Sequence, residues 1–513
     1  MKAIAKGLIV CAALAALMLT QGRGGAAFAS TDSLQARIDA AAPFDVVTVE
    51  GGTYHERIVL QKPIELHGIG YPVIDAGGEG DVVTITGPSV SISGFEIRGS
   101  GRAVSQEAAA IKVYDAHEPT IRSNRIRDAL YGIHVTGTHH ATIAFNDIDQ
   151  GAHIPQERRG HGIYLWRVEG ASIHANTITN SADGIHLEFS NDNGMGLNTV
   201  THSRYAIHFM SSDNNRVLEN TFRGNLTGAV LMFSQDLLVK DNQFSNNRDG
   251  ATGAGMLIKD VDNIFVEGNT LQRNKYGITV EGTPNSAGAS ATFIRNLLAL
   301  NDTGIGLFPN APITFVENAL VENTVQVEAI SGALASGLAH GAVTTDAGSG
   351  SPAGEHGGHE ANAPSTSTGA RNPAPVWTID GRGNYWSDYN GYDAGGDGVG
   401  DAPYAPRPPF AGALSDHDTL RLFQFTIAQQ AIDVAANMFP LYQYNAVIQD
   451  SGPLMQPPGP ALQKDGALNG GLLVVSLLLL VLAGAVLQAF LDLDAARLFG
   501  DAVRRLPGLQ GGS

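Results

Sequence analysis

The pattern of apolar positions repeats through the middle of the chain. Each repeat has an apolar residue, two others, an asparagine, one other residue and a second apolar residue, as in IRSNRI and IHANTI. The nine asparagines are Asn124, Asn146, Asn176, Asn198, Asn220, Asn242, Asn269, Asn296 and Asn318. Their spacings are 22, 30, 22, 22, 22, 27, 27 and 22 residues, which is a period of 22 with insertions of eight and five. A fixed period of this size indicates a repeat architecture.

A second apolar phrase follows each asparagine, such as GIHL from Gly184 and AIHF from Ala206. Its alternating apolar residues predict a short strand, and the glycine before it is interpreted as a turn. A strand-turn-strand unit cannot bury its apolar face alone, so the units are expected to stack. We therefore predict an all-β fold, a right-handed parallel β-helix with coils of about 22 residues. The asparagines are expected to form an internal ladder that satisfies buried backbone groups at the turns.

The rest of the chain divides into segments of different composition. LQARIDAAAP, from Leu34, predicts a short amphipathic helix that caps the start of the solenoid. The predicted segments are a signal peptide (1–29), the β-helix (30–331), a flexible Gly/Ser/His-containing insertion (332–375), final coils with NYWSDY and GDGVGD (376–422), a membrane-proximal docking segment (423–465), a transmembrane helix (466–491) and a cytoplasmic tail (492–513). The docking segment has a simpler alternative, an ordinary capping helix on the lower end of the solenoid.

Both ends of the chain carry targeting signals. Lys2 and Lys6, an apolar stretch and AFA before Ser30 are typical of a secretory signal. Residues 466–491 carry no charge and are long enough to span a bilayer, although a buried core helix is the alternative. Arginines follow this stretch, so the positive-inside rule places the C-terminus in the cytoplasm. The expected location is the periplasm, with a C-terminal anchor in the inner membrane.

Charge and cysteine content exclude some functions. The formal net charge is -18, which argues against a nucleic-acid partner, because phosphate binding needs basic patches. The one cysteine, Cys11, lies in the predicted signal peptide. The mature chain would therefore have no thiolate ligands and no disulfides.

The second phrases predict which side chains point outward. In GIHLEF, Ile185, Leu187 and Phe189 are expected to face the core, and His186 to face outward. The same register on the other coils gives a stripe of imidazoles and thioethers on one outer face. With no thiolate available, such a stripe suits copper, especially Cu(I). The candidate metal ligands are His134, His186, His208, Met210 and Met232.

Two other interpretations of this stripe stay open. Rings on neighbouring strands can simply stack and stabilise the sheet. Alternatively, Tyr164 and Trp166 could stack on sugar rings, with Glu188 and Asp183 as nearby carboxylates, in a carbohydrate-binding or polysaccharide-cleaving protein.

Two further segments contain possible metal ligands. EHGGHE brings His356 and His359 together in the flexible insertion, where a loose metal contact or an incidental pair are both possible. DAGGDGVGD places Asp393, Asp397 and Asp401 among glycines, which is compatible with a calcium loop or with a tight turn capped by aspartates.

The block GNYWSDYNGYDAGGDGVGDAPY, together with the repeats and the signal peptide, resembles the NosD family of periplasmic accessory proteins. The resemblance implies a non-enzymatic role in the maturation of nitrous oxide reductase, the copper enzyme of denitrification. Implied partners are an ABC transporter permease with its ATPase, a copper-chaperone lipoprotein and the reductase. The chain has no GxxxxGK[ST] motif, so ATP hydrolysis is assigned to the ATPase. Copper and a sulfur species both stay open as cargo.

Overall fold

A computed structural model describes residues 33–249, 253–307, 313–329, 374–405 and 448–458. The predicted signal peptide, transmembrane helix and cytoplasmic tail lie outside these residues, and so does nearly all of the predicted insertion at 332–375. Within the described ranges, no helix is long and apolar enough to cross a membrane.

The described chain is built on three parallel sheets. Strands are numbered in chain order. Sheet I contains β1 (Val46–Glu50), β4 (Glu65–Ile69), β7 (Ser91–Ser93), β10 (Thr120–Arg122), β13 (Thr142–Ala144), β16 (Ser172–His174), β19 (Gly194–Gly196), β22 (Arg216–Leu218), β25 (Gln235–Lys240), β28 (Asp262–Glu267), β31 (Ala291–Ile294) and β34 (Thr314–Val316). Sheet II contains β2 (Thr53–Tyr54), β5 (Val73–Asp75), β8 (Glu96–Arg98), β11 (Arg125–Arg127), β14 (Asp147–Asp149), β17 (Thr177–Thr179), β20 (Thr199–Thr201), β23 (Thr221–Arg223), β26 (Gln243–Ser245), β29 (Thr270–Gln272), β32 (Leu297–Ala299), β35 (Ala319–Val321) and β37 (Tyr385–Trp386).

Sheet III contains β3 (Ile58–Leu60), β6 (Val83–Ile85), β9 (Ala109–Tyr114), β12 (Tyr131–Thr136), β15 (Ile163–Trp166), β18 (Asp183–Glu188), β21 (Tyr205–Met210), β24 (Thr227–Met232), β27 (Ala254–Lys259), β30 (Tyr276–Glu281), β33 (Thr303–Leu307) and β36 (Val325–Ala329). Neighbours in each sheet lie three strands apart along the chain up to β36. Each coil therefore adds one strand to every sheet, and the predicted parallel β-helix is confirmed. The apolar core lies between the three sheets.

Each coil has three strands, whereas the sequence predicted two. The asparagine phrase contains a corner that the apolar pattern does not reveal. Asn124, for example, lies between β10 and β11, and Ser123 before it has a φ of 55°. A residue in this left-handed region turns the chain sharply, so the phrase splits between two sheets.

The predicted asparagine ladder is confirmed. Asn198 donates both its backbone N–H (2.9 Å) and its side-chain Nδ2 (3.0 Å) to Oδ1 of Asn220 on the next coil. Its Nδ2 also donates to the carbonyl oxygen of Ile173 at 2.9 Å. The ladder continues beyond the predicted positions, since Asn318 donates to Asn384, whose backbone N–H donates to Oδ2 of Asp450 at 2.7 Å. A second buried row, which the sequence did not reveal, consists of Asn225, Asn247, Asn274, Asn301 and Asn323.

Both described ends of the solenoid are closed. The predicted capping helix is confirmed as α1 (Leu34–Ala40), whose Leu34 and Ile38 are buried in the core. At the other end, residues 448–458 form the last layer. Asp450 in this layer is fully buried and accepts hydrogen bonds from Thr378 Oγ1 (2.8 Å) and Trp386 Nε1 (2.9 Å). This part of the predicted docking segment 423–465 thus packs on the last coil, and residues 448–458 contain no helix, so they do not form the capping helix of the alternative interpretation.

The glycine before each second phrase does not form the predicted turn. Gly184 lies inside β18, and a Cβ added there would come within 2.7 Å of the carbonyl oxygen of Ala206 on the next coil. Gly162 meets the carbonyl oxygen of Gly184 in the same way at 2.6 Å. Glycine is needed here because the coils approach closely.

The aspartate-rich loop forms a capped turn. Asp393 accepts the backbone N–H of Gly398 at 2.8 Å, and Asp397 accepts that of Val399 at 2.9 Å. Asp401 accepts the N–H of Ala394 at 2.7 Å. These carboxylates satisfy turn amides, as the turn interpretation of the sequence expected.

Candidate metal centre

The insertion of eight residues in the repeat forms one wall of a groove over sheet III. The coil with the 30-residue spacing carries extra residues that include the 3₁₀ turn Gln156–Arg158, and Arg159 and His161 follow it into the groove lining. A coil two steps earlier, which leads into β9, contributes a second 3₁₀ turn, Val104–Gln106, with Glu107 beside it. The groove has a volume of about 830 Å³.

The floor of the groove is a row of rings on adjacent strands. His134, Tyr164, His186 and His208 occupy matching positions on β12, β15, β18 and β21. The centroids of the His134 and Tyr164 rings are 4.8 Å apart, and those of Tyr164 and His186 are 5.1 Å apart. The rings of His186 and His208 stack at 4.4 Å with only 12° between their planes. The predicted register is confirmed, and the interval of 22 residues is one coil.

The prediction that this row is exposed is wrong. His134, His186 and His208 are only 3%, 6% and 2% exposed. Beyond stacking along the row, the rings are covered from the side by Tyr131, His161 and Tyr205. The sequence pattern gives the direction of a side chain from its own strand, but it does not show what packs over it.

The two methionines have different surroundings. Met210 is partly exposed and lines the groove, whereas Met232 on the next coil is 3% exposed and packs with Tyr205, Val230 and Leu257. The prediction that Met232 lies on an open face is therefore wrong, because it belongs to a small apolar cluster. Phe189 also differs from expectation, since it is 50% exposed with a φ of 49° in the turn after β18.

A buried carboxylate lies beside the histidines. Asp183, at the start of β18, is fully buried and forms a two-pronged salt bridge with Arg204, with distances of 2.9 Å from Nε to Oδ1 and 3.0 Å from Nη2 to Oδ2. Oδ2 is also 3.0 Å from Nδ1 of His208, 3.5 Å from Nδ1 of His161 and 3.8 Å from Nδ1 of His186. Three imidazoles and one guanidinium thus converge on one carboxylate.

Three of these groups could hold one metal ion. Single ligand atoms of His161, Asp183 and His186 all lie within 4.8 Å of one another. Nδ1 of His186 is 3.3 Å from Nε2 of His161. The sequence singled out His186 as a ligand and Asp183 only as a carboxylate for sugars, and it missed His161. The insertion of eight residues was the available signal, because His161 lies directly after it.

Burial sets the charge states in this cluster. Burial lowers the pKa of His186 well below its usual value, and His208 and His161 lower it further. For Asp183, burial alone would raise the pKa, but Arg204 and then His208 outweigh it and hold the pKa well below the usual range. The cluster therefore combines a neutral His186 with an ionised Asp183, which are the forms that bind metal ions.

Burial also shifts the pKa values of two neighbouring side chains in the groove. Burial lowers the pKa of His134 to about 3, with Lys112 as the next cause. Tyr164 donates its hydroxyl to Glu188 at 2.6 Å, and burial, with the charge of Glu188, raises the pKa of this phenol. Tyr164 also separates His134 from His186, so the structure does not bring His134 into the cluster.

Comparison with known proteins supports a family assignment. A family described as "Periplasmic copper-binding protein (NosD)" matches residues 146–336, which include the cluster. A relative from Pseudomonas aeruginosa, named "Probable ABC transporter binding protein NosD", is 30% identical over 452 residues, or 86% of this chain and 94% of the relative. A relative of the same name from Stutzerimonas stutzeri is 30% identical over 459 residues, or 87% and 94% of the two chains.

Solved structures with some similarity include the A-module of the mannuronan C-5 epimerase AlgE6 from Azotobacter vinelandii. It has a TM-score of 0.47 and 14% identity, and it covers 58% of this chain and 91% of its own. The Streptococcus pneumoniae surface adhesin PfbA has a TM-score of 0.41 and 11% identity, with 54% and 82% covered. Neither similarity bears on function. The two relatives match nearly their whole length, and on that ground the chain belongs to the NosD family of periplasmic proteins.

Proposed function

We propose that this chain accepts copper and hands it on for assembly of the copper centres of nitrous oxide reductase. The observation that carries the proposal is the cluster of His161, Asp183 and His186, in which the two histidines line the groove and Asp183 lies buried beside them. The family description supports copper as the ligand, and the names of the relatives support an ABC transporter as partner. In this proposal the chain is not an enzyme, and the ATPase of the transporter hydrolyses ATP.

The arrangement favours holding copper only in transit. Arg204 already neutralises Asp183, so an incoming cation has to compete with the guanidinium and with His208 for Oδ2. This competition lowers the affinity and favours release. Imidazole suits copper in general, carboxylate suits harder ions, and the thioether of Met210 suits Cu(I). We propose that Cu(I) enters the groove from a chaperone lipoprotein, contacts Met210 and reaches the two imidazoles.

Copper affinity of three variants tests the site. We expect His186→Ala to weaken Cu(I) binding at least about tenfold, the size typical for losing even an outer-shell partner. Affinity is measured anaerobically by competition with a chromophoric chelator. His174→Ala, on β16, is the control and should bind like the parent chain. Unchanged affinity in both His186→Ala and Asp183→Asn would refute the site.

The two methionines form a matched pair for the same assay. Met210 lines the groove and Met232 lies in an apolar cluster, so Met210→Leu should weaken Cu(I) binding and Met232→Leu should not. Cu(II) binding should be insensitive to both changes, because thioethers favour the reduced ion. Equal Cu(I) affinity of both variants and the parent would remove Met210 from the proposal.

The partners are tested by a pull-down from intact membranes. The proposal expects the ABC permease with its ATPase, the chaperone lipoprotein and the reductase to be recovered with the chain. Recovery of none of them would contradict a role in maturation. The same experiment with His186→Ala separates partner binding from metal binding. The variant lacks a groove ligand, but it should still recover the same partners.

A carbohydrate-binding or polysaccharide-cleaving function is the second candidate. Its support is the aromatic lining of the groove by Tyr131, Tyr164 and Trp166, with Glu107 and Glu188 as carboxylates nearby. Aromatic faces bind sugar rings, and cleavage would need two carboxylates at a set separation. Release of reducing ends from a polysaccharide panel would place this function first.

A further inference from the structure

A row of exposed ligand-type side chains follows the ends of the sheet III strands. His117, His139 and Glu169 occupy matching places on successive coils, where isolated parallel bridges join His117 to His139 and His139 to Glu169. All three residues are exposed, and none of them lines the groove described above. The row is therefore separate from the cluster around Asp183.

The three side chains contact one another. The rings of His117 and His139 stack with centroids 5.5 Å apart and 14° between their planes. On its other side, Nδ1 of His139 is 3.4 Å from Oε2 of Glu169. The side chains of His139 and Glu169 are 47% and 58% exposed, so their donor atoms are accessible to an ion from solution.

The next positions of the same row are used differently. The bridge pattern continues from Glu169 to Asn191, and the side-chain oxygen of Asn191 accepts the backbone N–H of Asp213 at 2.7 Å. Asp213 in turn accepts the N–H of Gln235 at 2.9 Å. These oxygens hold the turns together. His139 and Glu169 instead contact each other through Nδ1 and Oε2, and the ring of His117 stacks on that of His139.

We propose that His117, His139 and Glu169 form a second, surface site for a divalent transition-metal ion. Two imidazoles and a carboxylate are a ligand set that Cu²⁺, Zn²⁺ and Ni²⁺ accept. His139 and Glu169 are already in contact, whereas His117 lies two coils from Glu169, and the three donor atoms are not as close together as those of the groove cluster. Adjacent strands lie about 4.8 Å apart, and donor atoms bound to one ion at about 2.0–2.1 Å lie closer to one another than that, so binding requires the exposed side chains to rotate towards a shared ion.

The charges also fit a cation. Glu169 supplies the negative charge, and an unprotonated His139 cannot neutralise it, whereas a divalent ion can bind both together. Since the residues lie outside the groove, this site goes beyond the proposed function and does not depend on it. Its accessible position suits exchange of an ion with solvent or with a metal-carrying protein.

The experiment titrates Cu²⁺ into the full chain at neutral pH, followed by calorimetry and electron paramagnetic resonance. We expect His139→Ala to lose one equivalent of bound Cu²⁺, together with a signal from nitrogen ligands. Glu169→Gln, which keeps the size of the side chain, should weaken the same equivalent at least about tenfold. His174→Ala is the control and should keep it.

His186→Ala, which removes a groove ligand, distinguishes the two sites. The surface equivalent should persist in this variant if both proposals hold, and it should also persist if the groove proposal fails. If His139→Ala and Glu169→Gln bind the same number of Cu²⁺ equivalents as the parent with unchanged affinity, the surface site is refuted. Circular dichroism of each variant shows that the fold is intact.

Discussion

Asp183 holds a full negative charge where water does not reach it. Its side chain has no exposed surface, and the two-pronged contact with Arg204 compensates the charge. Breaking a buried ion pair by removing one partner leaves an uncompensated charge, which typically costs about 3–5 kcal/mol. Any cation that enters the cluster therefore meets a carboxylate that is already satisfied. In the proposed function, Arg204 therefore limits copper affinity at the same time as it stabilises the fold.

We predict that Arg204→Gln separates these two effects. Without copper, the variant should be less stable than the parent by about 3–5 kcal/mol, because Asp183 loses its partner. With copper, its melting temperature should rise more than that of the parent, because the ion now supplies the missing positive charge. Thermal unfolding with and without copper measures both. A smaller copper-induced rise than in the parent would contradict competition at Asp183.

The buried histidines predict a pH dependence of stability. In the folded chain, the pKa values of His134 and His186 lie far below 6.5, so the unfolded chain binds more protons at mildly acidic pH. Stability is then complete above about pH 6.5 and decreases as the pH falls, by about 1.4 kcal/mol per pH unit for each histidine. Asp183 does not interfere in this window, because its pKa lies below 3.8.

Urea unfolding at pH 7.5, 6.0 and 5.0 measures this slope. His134→Gln should show a smaller slope of stability against pH, because His134 contributes to this slope down to its pKa of about 3 in the folded chain. His174→Gln provides the comparison, since His174 lies on the outer side of β16 and is only half-buried. Equal slopes in His134→Gln and the parent would mean that His134 is not held neutral.

At the scale of the element, each coil is fixed by its asparagine. Asn220 accepts from the backbone N–H and the side chain of Asn198, and it donates to Asn242 and to the carbonyl oxygens of Met195 and Leu218. All of these hydrogen bonds are buried except the one to Leu218, which is partly buried. An unsatisfied buried polar group costs about 1–3 kcal/mol, so the ladder determines where each corner forms.

Asn220→Ala is predicted to destabilise the chain by several kcal/mol, since it leaves more than one buried group unpaired. Asn191→Ala is the matched control, because Asn191 is exposed and its side chain accepts one hydrogen bond, from Asp213. The control should change stability by less than about 1 kcal/mol. Chemical denaturation compares the two variants. Similar losses in both would contradict the role assigned to the buried ladder.

The solenoid could be predicted because the repeat period can be read directly from the sequence. The 22-residue spacing, the ladder from Asn124 to Asn318 and the pairing of His186 with His208 all follow from register. The third strand of each coil was missed because the corner depends on left-handed residues such as Ser123, which carry no apolar pattern. The cluster was only half predicted, since His161 follows the insertion of eight residues and Arg204 lies directly before β21, at a position that the apolar pattern does not mark.

At the scale of the whole molecule, each coil is stabilised by its contacts with the neighbouring coils, as in other repeat proteins. The ladder ends on Asp450, which also binds Thr378, Trp386 and Asn384. Residues 448–458 thus return to the solenoid and close its last layer. Asp450 accepts these hydrogen bonds at both oxygens of its side chain, so the end of the ladder is held at several points.

We predict that Asp450→Ala loosens this end and leaves the candidate metal centre intact. Hydrogen exchange should become faster in residues 374–405, because Trp386 Nε1 and the N–H of Asn384 lose their acceptor. Exchange in residues 120–250 should stay within error of the parent, and so should Cu(I) affinity. Faster exchange throughout the chain would instead show that the solenoid unfolds as a single unit.

The insertion of eight residues between Asn146 and Asn176 has a consequence for engineering. Asn146 donates its backbone N–H and its Nδ2 to Oδ1 of Asn176 across the insertion, both at 3.0 Å, so the extra residues do not interrupt the ladder. The inserted residues form a wall of the groove and lead to His161. The solenoid can therefore be changed at its groove without being disrupted. A 22-residue coil in this place would keep the solenoid and remove the groove wall. A loop of other composition would keep the solenoid and change which ligand the groove accepts.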